Sequence, residues 1–317
     1  MKLKKLLATA LIAMTMYGCI NDERIDCALE NNTVILFEYS ALSTQFNDVI
    51  SSVDVVLFDG EGRFFLHRRI EDPDLRLYQG TRFTLDPGTY YVVSWANVSY
   101  KSAFRAFEEN TTSFDECLLE IDSSSTESGG DPIYYAPAKA KPACRSGAGI
   151  TRASDDLSIY EIIVPVGERV TKTLDFVRAH RTINVWINGY TENSVAVNPT
   201  VGATKLWSGY NFYFSPTSTR RDFSQKSQTA TLSGTTYSSA TFHSAMGTID
   251  ANTDIIVKNS NGAGTIYSVN LRDFIDENNI ADEDTDEIDI LITFTDDLGV
   301  TVGLPDWSDK PVKPGVH

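Results

Sequence analysis

Four histidines, His67, His180, His243 and His317, are the groups best suited to proton transfer or metal binding at neutral pH. Their separations are far wider than the roughly three to five residues of a local zinc pair. A serine–histidine–aspartate arrangement needs only proximity in space, but no Gly-x-Ser-x-Gly elbow marks a nucleophile. Asp282, Asp284 and Asp286 alternate like the opening of a calcium loop. The glycine required at the sixth position is Glu287, and the bidentate glutamate at the twelfth is Thr293. An acidic solvated loop is therefore the better reading. Gly262-Ala263-Gly264 precedes no lysine, which argues against a phosphate cradle, and the adjacent acids Glu108-Glu109 point apart. No catalytic residue, cofactor site or metal site is expected, and the chain reads as a non-enzyme. One thiol does have a chemical context. Cys19 follows the small Gly18 at the end of an apolar run.

The elements around Cys19 give it a role. Lys2, Lys4 and Lys5 form a basic start, and Leu6 to Met16 a run much shorter than the roughly 20 apolar residues of a spanning helix. This order of basic, apolar and small residues builds a signal peptide. Its ending, Tyr17-Gly18-Cys19, resembles a lipobox. In the lipoprotein class it resembles, the Cys19 thiol is diacylated, the chain is cut between Gly18 and Cys19, and the freed amino group is acylated. Several acyl chains, at about 0.8 kcal/mol per buried methylene, hold a membrane far more firmly than one myristate. An ordinary signal peptide with an incidental cysteine is the plainer alternative. Asp22 and Glu23 follow closely and resemble the acidic export tag of surface-exposed lipoproteins in Bacteroides-type bacteria. Residues 1–18 are thus expected to form a signal peptide and 19–32 a polar tether.

Composition narrows the rest. The net charge is −16, and loss of the three lysines of residues 1–18 takes it to −19. No nucleic-acid partner is expected of so acidic a chain, because that binding relies on basic surface. Aromatics at 11% with many Val, Ile and Thr favour sheet, and the length suggests two domains. Beyond Cys19, export would permit one disulfide among Cys27, Cys117 and Cys144, leaving an odd thiol.

Strand signals recur along the chain. Thr33 to Tyr39 reads as a first strand, and Val53 to Phe58 as a second, with Val53, Val55 and Leu57 on one face and Val56 and Phe58 on the other. Asp59-Gly60-Glu61-Gly62 turns into a partner from Arg63 to Leu66. Pro87 presets a turn in which Gly88 is expected to be left-handed, before a strongly apolar strand from Tyr90 to Trp95. A short helix is expected within residues 102–120, then strands at Ile133 to Tyr135 and Ser158 to Val164. A second set covers Val170 to Val177, Thr182 to Asn188, Asn211 to Phe214, Asp254 to Lys258 and Tyr267 to Leu271. Between Phe214 and residue 244 the Ser/Thr-rich sequence gives sparse signals. Ile288 to Thr295 and Val300 to Val302 read as a closing hairpin across Asp296-Asp297-Leu298-Gly299. Short strands with turns between them and no alternating helices predict antiparallel β-sandwiches. A break at Pro165-Val166-Gly167-Glu168 divides an N-terminal domain, 33–168, from a C-terminal domain, 169–317.

The order of these features resembles the FimB-like anchor subunits of type V fimbriae of Bacteroides-type bacteria. The likeness is carried by the lipobox, Asp26-Cys27, Val34 to Tyr39, Val53 to Asp59 and, most specifically, Leu85-Asp86-Pro87-Gly88-Thr89-Tyr90 running to Val93-Ser94-Trp95-Ala96-Asn97. Arg181 to Ile187 and Val302-Gly303-Leu304-Pro305-Asp306-Trp307 extend it, and it is thin from residue 195 to 265. The resemblance implies an all-β protein of two tandem transthyretin-like antiparallel β-sandwich domains. It implies a subunit lipid-anchored in the outer membrane, exposed at the surface, that joins other fimbrial subunits (pilins) by exchange of β-strands and serves cell adhesion. Arg24 lies too near Cys19 for cleavage after it to release a strand, and Arg152 reads as an ordinary exposed residue. Trp95 and Trp186 are expected in the core. Trp207, Tyr210, Phe212 and Tyr213 form an aromatic cluster that either packs internally or stacks on sugars. The second use would make the chain a surface lipoprotein that binds glycan or host protein. Pro305 to His317 reads as a frayed tail, since its prolines withhold ladder donors.

Overall fold

The structure, a computed structural model, describes residues 29–40, 45–99, 102–105, 108, 112–113, 116–121, 129–137, 159–232, 234–281, 285–295, 297 and 299–305. Gly18, Cys19, most of the tether, Asp282 to Asp284 and the tail beyond Pro305 lie outside the described residues.

Strands dominate. Up to Arg178 they are β1 (Thr33–Glu38), β2 (Ser52–Phe58), β3 (Phe64–Glu71), β4 (Gly80–Phe83), β5 (Gly88–Ala96), β6 (Ala103–Arg105), β7 (Leu118–Glu120), β8 (Tyr134–Tyr135), β9 (Tyr160–Val164), β10 (Val170–Asp175) and β11 (Val177–Arg178). From His180 onward come β12 (His180–Asn188), β13 (Thr191–Glu192), β14 (Val195–Ala196), β15 (Thr200–Trp207), β16 (Gly209–Asn211), β17 (Arg220–Lys226), β18 (Gln228–Leu232), β19 (Thr235–Ala245), β20 (Asp254–Lys258), β21 (Thr265–Asn270), β22 (Glu287–Phe294) and β23 (Val300–Gly303). The expected all-β class is what the chain adopts.

The alternation in β2 governs the layering. Its residues are buried on both faces. Val53, Val55 and Leu57 pack with Ile35, Phe37 and Leu174, from the sheet ordered β10-β1-β4. Val56 and Phe58 pack the opposite way, with Trp95, Tyr210 and Phe212. The sheet ordered β11-β8-β5-β2-β3, with β9 also on β5, is thus a middle layer. Beyond it lies the small sheet β16-β7-β6, which draws β16 from the later part of the chain. Burying each large apolar side chain contributes about 1.5–3 kcal/mol, so a strand used on both faces stabilises twice over.

The later strands form a sandwich of their own. One sheet is ordered β18-β19-β12-β22-β23 and the other β17-β15-β20-β21. Ile183, Val185, Ile187, Phe242 and Ile290 face Val201, Ala203, Phe223, Ile255 and Val257 across a common core. That core is continuous with Trp95 and Phe58, so the earlier and later strands share one apolar interior.

Several expectations are corrected. The parallel pairing of β10 with β1 has no counterpart in an all-antiparallel reading, and β11 pairs antiparallel with β8. Gly88 is not left-handed. It already belongs to β5 and sits opposite Val164. The glycine that needs positive φ is Gly62, at 77°, in the β2–β3 turn. There the Asp59 carboxylate accepts the backbone N–H groups of Glu61 and Arg63, both at 2.9 Å. The described residues of 102–120 hold β6 and β7 in place of a helix. The segment after Thr265 turns helical at Leu271–Glu277, capped by the Asn270 side chain on the Asp273 N–H at 3.0 Å. The Ser/Thr-rich stretch to 244 contains three strands, β17 to β19. Trp186 is half-buried on the outer face of its sheet.

Candidate functional site: open sheet edges

Wherever a strand ends a sheet, backbone N–H and C=O groups lack a ladder partner and can template another strand. The edges built before His180 carry charge. β3 presents His67, Arg68 and Arg69 in succession. On the adjacent β2, Asp54 is 1% exposed. It accepts from Arg69 Nη1 at 3.0 Å and lies 2.8 Å from His67 Nε2. Arg68 reaches across to the other sheet. Its Nη1 donates to the Arg82 carbonyl at 2.6 Å, and its guanidinium lies 4.3 Å from the Phe83 ring centre. A side chain from β3 thereby caps the edge of β4. Lys172 on β10 lies over the Tyr160 ring at 5.1 Å.

From His180 onward, β17 remains charged through Arg220, Arg221 and Lys226, but the other three edges of the two larger sheets are not. β18 (Gln-Thr-Ala-Thr-Leu), β21 (Thr-Ile-Tyr-Ser-Val-Asn) and β23 (Val-Thr-Val-Gly) contain neither charge nor proline. β18 and β23 are the two ends of one five-stranded sheet, and Ile266 on β21 is 47% exposed. These strands lack the usual guards against pairing with another chain.

Neighbouring side chains hold these edges in place. Asn198 donates from Nδ2 to Thr229 Oγ1 at 3.1 Å and accepts from Ser238 Oγ at 2.7 Å, fixing the β18–β19 hairpin from below. Glu192 clamps the β20–β21 turn, accepting the Ser260 N–H at 2.6 Å, the Ser260 hydroxyl at 2.8 Å and the Tyr190 hydroxyl at 2.7 Å. Those donors, led by the Ser260 backbone, hold its carboxyl below the ordinary carboxylate value. Burial, followed by the bond to Glu192, pushes the Tyr190 phenol up to about 12.

The structure scatters the other residues that the sequence singled out. His180 and His243 lie 4.9 Å apart ring to ring, but His180 Nδ1 is 2.8 Å from the Ile133 carbonyl, the bond of a structural histidine. Among the described residues, no three His, Cys, Asp or Glu side chains converge as metal ligands. Cys117 is buried, and that burial pushes its thiol up to about 12. Cys27, Cys144 and His317 lie outside the described residues. Tyr210 and Phe212 are fully buried, packed on Trp95 and Phe58 with ring centres 5.2 Å and 5.9 Å apart. They belong to the interior and are not open for stacking on sugar. Two of the uncharged edges, β21 and β23, fall close to strands read from the sequence. β18 was missed, although its flanks carry Phe223, Tyr237 and Phe242 among β-branched threonines.

Fold and edges together define an all-β protein with uncharged edges on its two later sheets. The chain belongs to the Mfa2 family, fimbrillin-A associated anchor proteins Mfa1 and Mfa2, whose model matches residues 24–309. This is a family of fimbrial anchor proteins and not of enzymes, and it bears out the resemblance drawn from the sequence. Among solved structures, the chain is similar to the fimbrial anchor protein Mfa2 from Porphyromonas gingivalis. That match has 14% identity and a TM-score of 0.52 and covers 85% of this chain and 94% of that one. A candidate adhesin from Bacteroides ovatus matches with 16% identity and a TM-score of 0.58, over 91% and 96% of the two chains. A candidate polysaccharide-binding protein from Bacteroides thetaiotaomicron matches with 11% identity and a TM-score of 0.58, over 85% and 95%. At these identities the likeness is one of fold. No curated protein matches the chain by sequence.

Proposed function

We propose that this chain is a non-enzymatic fimbrial anchor subunit, held in the outer membrane by lipid on Cys19 and joined to other pilins by β-strand addition. The observation that carries the reading is the family match over residues 24–309. The uncharged edges β18, β21 and β23 support the second half of it, because strand addition needs backbone groups without a charged guard. Cleavage between Gly18 and Cys19 leaves residues 19–32 as the tether. No described helix is long and apolar enough to cross a membrane. On this reading the chain is two tandem transthyretin-like sandwiches, with the change-over at Ala179, because β10 and β11 pair with earlier strands. The competing reading, glycan or host-protein capture by the Trp207 cluster, loses support because Tyr210 and Phe212 are buried.

The test places lysine on each uncharged edge: Thr231→Lys, Ile266→Lys and Thr301→Lys, all at exposed positions. Surface changes of this kind shift stability by about 0.5 kcal/mol or less. At least one variant should fold normally and yet fail to co-purify other fimbrial subunits from detergent-solubilised membranes. If all three retain a full complement of partners, strand addition at these edges is wrong.

A further inference from the structure

The side-chain cap described above borders a groove of about 450 Å³ between β3 and β4, with Leu77 on its rim. Its chemistry runs against the composition of the chain. Acids outnumber bases 43 to 27, yet Arg68 and Arg82 stand together there, and among the described residues neither makes an ion pair. Arg69, beside them, is spent on Asp54 and Glu71. Each of the two arginines is held against a ring, Arg68 over Phe83 at 4.3 Å and Arg82 over Tyr78 at 4.9 Å. Stacking of this kind fixes the plane of a guanidinium. On Arg68, Nη1 is taken by the Arg82 carbonyl at 2.6 Å and Thr81 Oγ1 at 3.3 Å, so Nε and Nη2 are the edge that faces a carboxylate. Leu77 is 82% exposed, a large apolar side chain on the groove that the two cations also line. Glu71 and Asp74 also line the groove, and Glu71 is paired with Arg69.

We propose that this groove docks an acidic, extended segment of a partner protein, its carboxylates on Arg68 and Arg82 and an apolar side chain against Leu77. A peptide fits better than an acidic sugar for two reasons. The planar fork of arginine matches the carboxylates of Asp and Glu spaced along an extended chain, and Leu77 calls for an aliphatic contact that a sugar lacks. The proposal does not depend on which fimbrial role the chain plays.

The probe is a fluorescein-labelled peptide of repeating Glu-Thr-Glu-Val, titrated into the full-length lipid-free chain and followed by anisotropy at low and high salt. A Lys-Thr-Lys-Val peptide and a galacturonate oligomer serve as comparisons. The acidic peptide should bind, weaken with salt, and bind at least about tenfold more weakly to the Arg68→Gln, Arg82→Gln double variant. Arg68→Lys with Arg82→Lys should recover part of that loss, since charge remains while the fork is gone. If the double variant does not fold, Arg82→Gln alone decides, because Arg82 is exposed and its side chain touches Tyr78 alone, through the ring at 4.9 Å and the hydroxyl at 3.5 Å, among the described residues. Weaker binding to that variant supports the proposal. No binding to the native chain, binding unchanged by the glutamines, or equal arginine-dependent binding of the galacturonate would each overturn it.

Discussion

Trp95 is fully buried where the earlier and later strands meet, with ring centres 4.6 Å from Tyr135, 5.2 Å from Tyr210 and 6.1 Å from Phe214. Tyr210 ties the same junction through main-chain contacts, its hydroxyl reaching the Ala179 carbonyl and the Met246 N–H. Truncation here removes packing from both sides at once. Trp95→Ala should cost about 3–5 kcal/mol, read from urea unfolding. Trp95→Phe should cost clearly less, because the indole N–H is buried without a hydrogen-bond partner among the described residues and its removal relieves a desolvation cost. Equal losses from the two substitutions would contradict this picture of the junction.

At the scale of elements, the sequence was most legible where one residue type alternated with another. β2 was read on both faces because Val53, Val55 and Leu57 interleave with Val56 and Phe58, and the two cores divide those residues in that way. The closing hairpin, β22 with β23, was likewise explicit. β18 and β19 leave a weak signal because serine and threonine fill half of their positions, and β17 because Phe223 is its one apolar residue. Placement of β10 beside β1 was not legible either, because a parallel partner far along the chain leaves no local mark. The aromatic run near Trp207 could be read as a cluster, but its burial depends on the partners Trp95 and Phe58, more than a hundred residues away. Open edges are a property of the assembled sheets, so no single segment announces them.

The clamp on the β20–β21 turn yields a prediction at the same scale. The Glu192 carboxyl is held below its ordinary value of 4.5, so its contribution is fully present above that pH and is lost as pH falls through the lower folded value. Comparison of Tm against pH for the native chain and Glu192→Gln should show a gap at neutral pH that closes on acidification. A gap that stays constant down to acid pH would mean the clamp does not act through the charged form.

For the whole molecule, the account makes Cys19 the point at which pulling force on a fimbrium enters the membrane. Under the proposed function, residues 19–32 would transmit that force and the sandwiches would couple it to the shaft through their edges. The continuous core from Phe58 and Trp95 to Ile290 suits such a load path, since the earlier and later strands share one interior. The most direct test is electron microscopy of cells carrying either the native gene or Cys19→Ala, with gold-labelled antibody against this chain. The account predicts native cells with gold at the bases of attached fimbriae, and Cys19→Ala cells that shed their fimbriae into the medium with the protein still at one end. Fimbriae that stay attached in the Cys19→Ala cells, or gold found away from fimbrial bases in native cells, would contradict it.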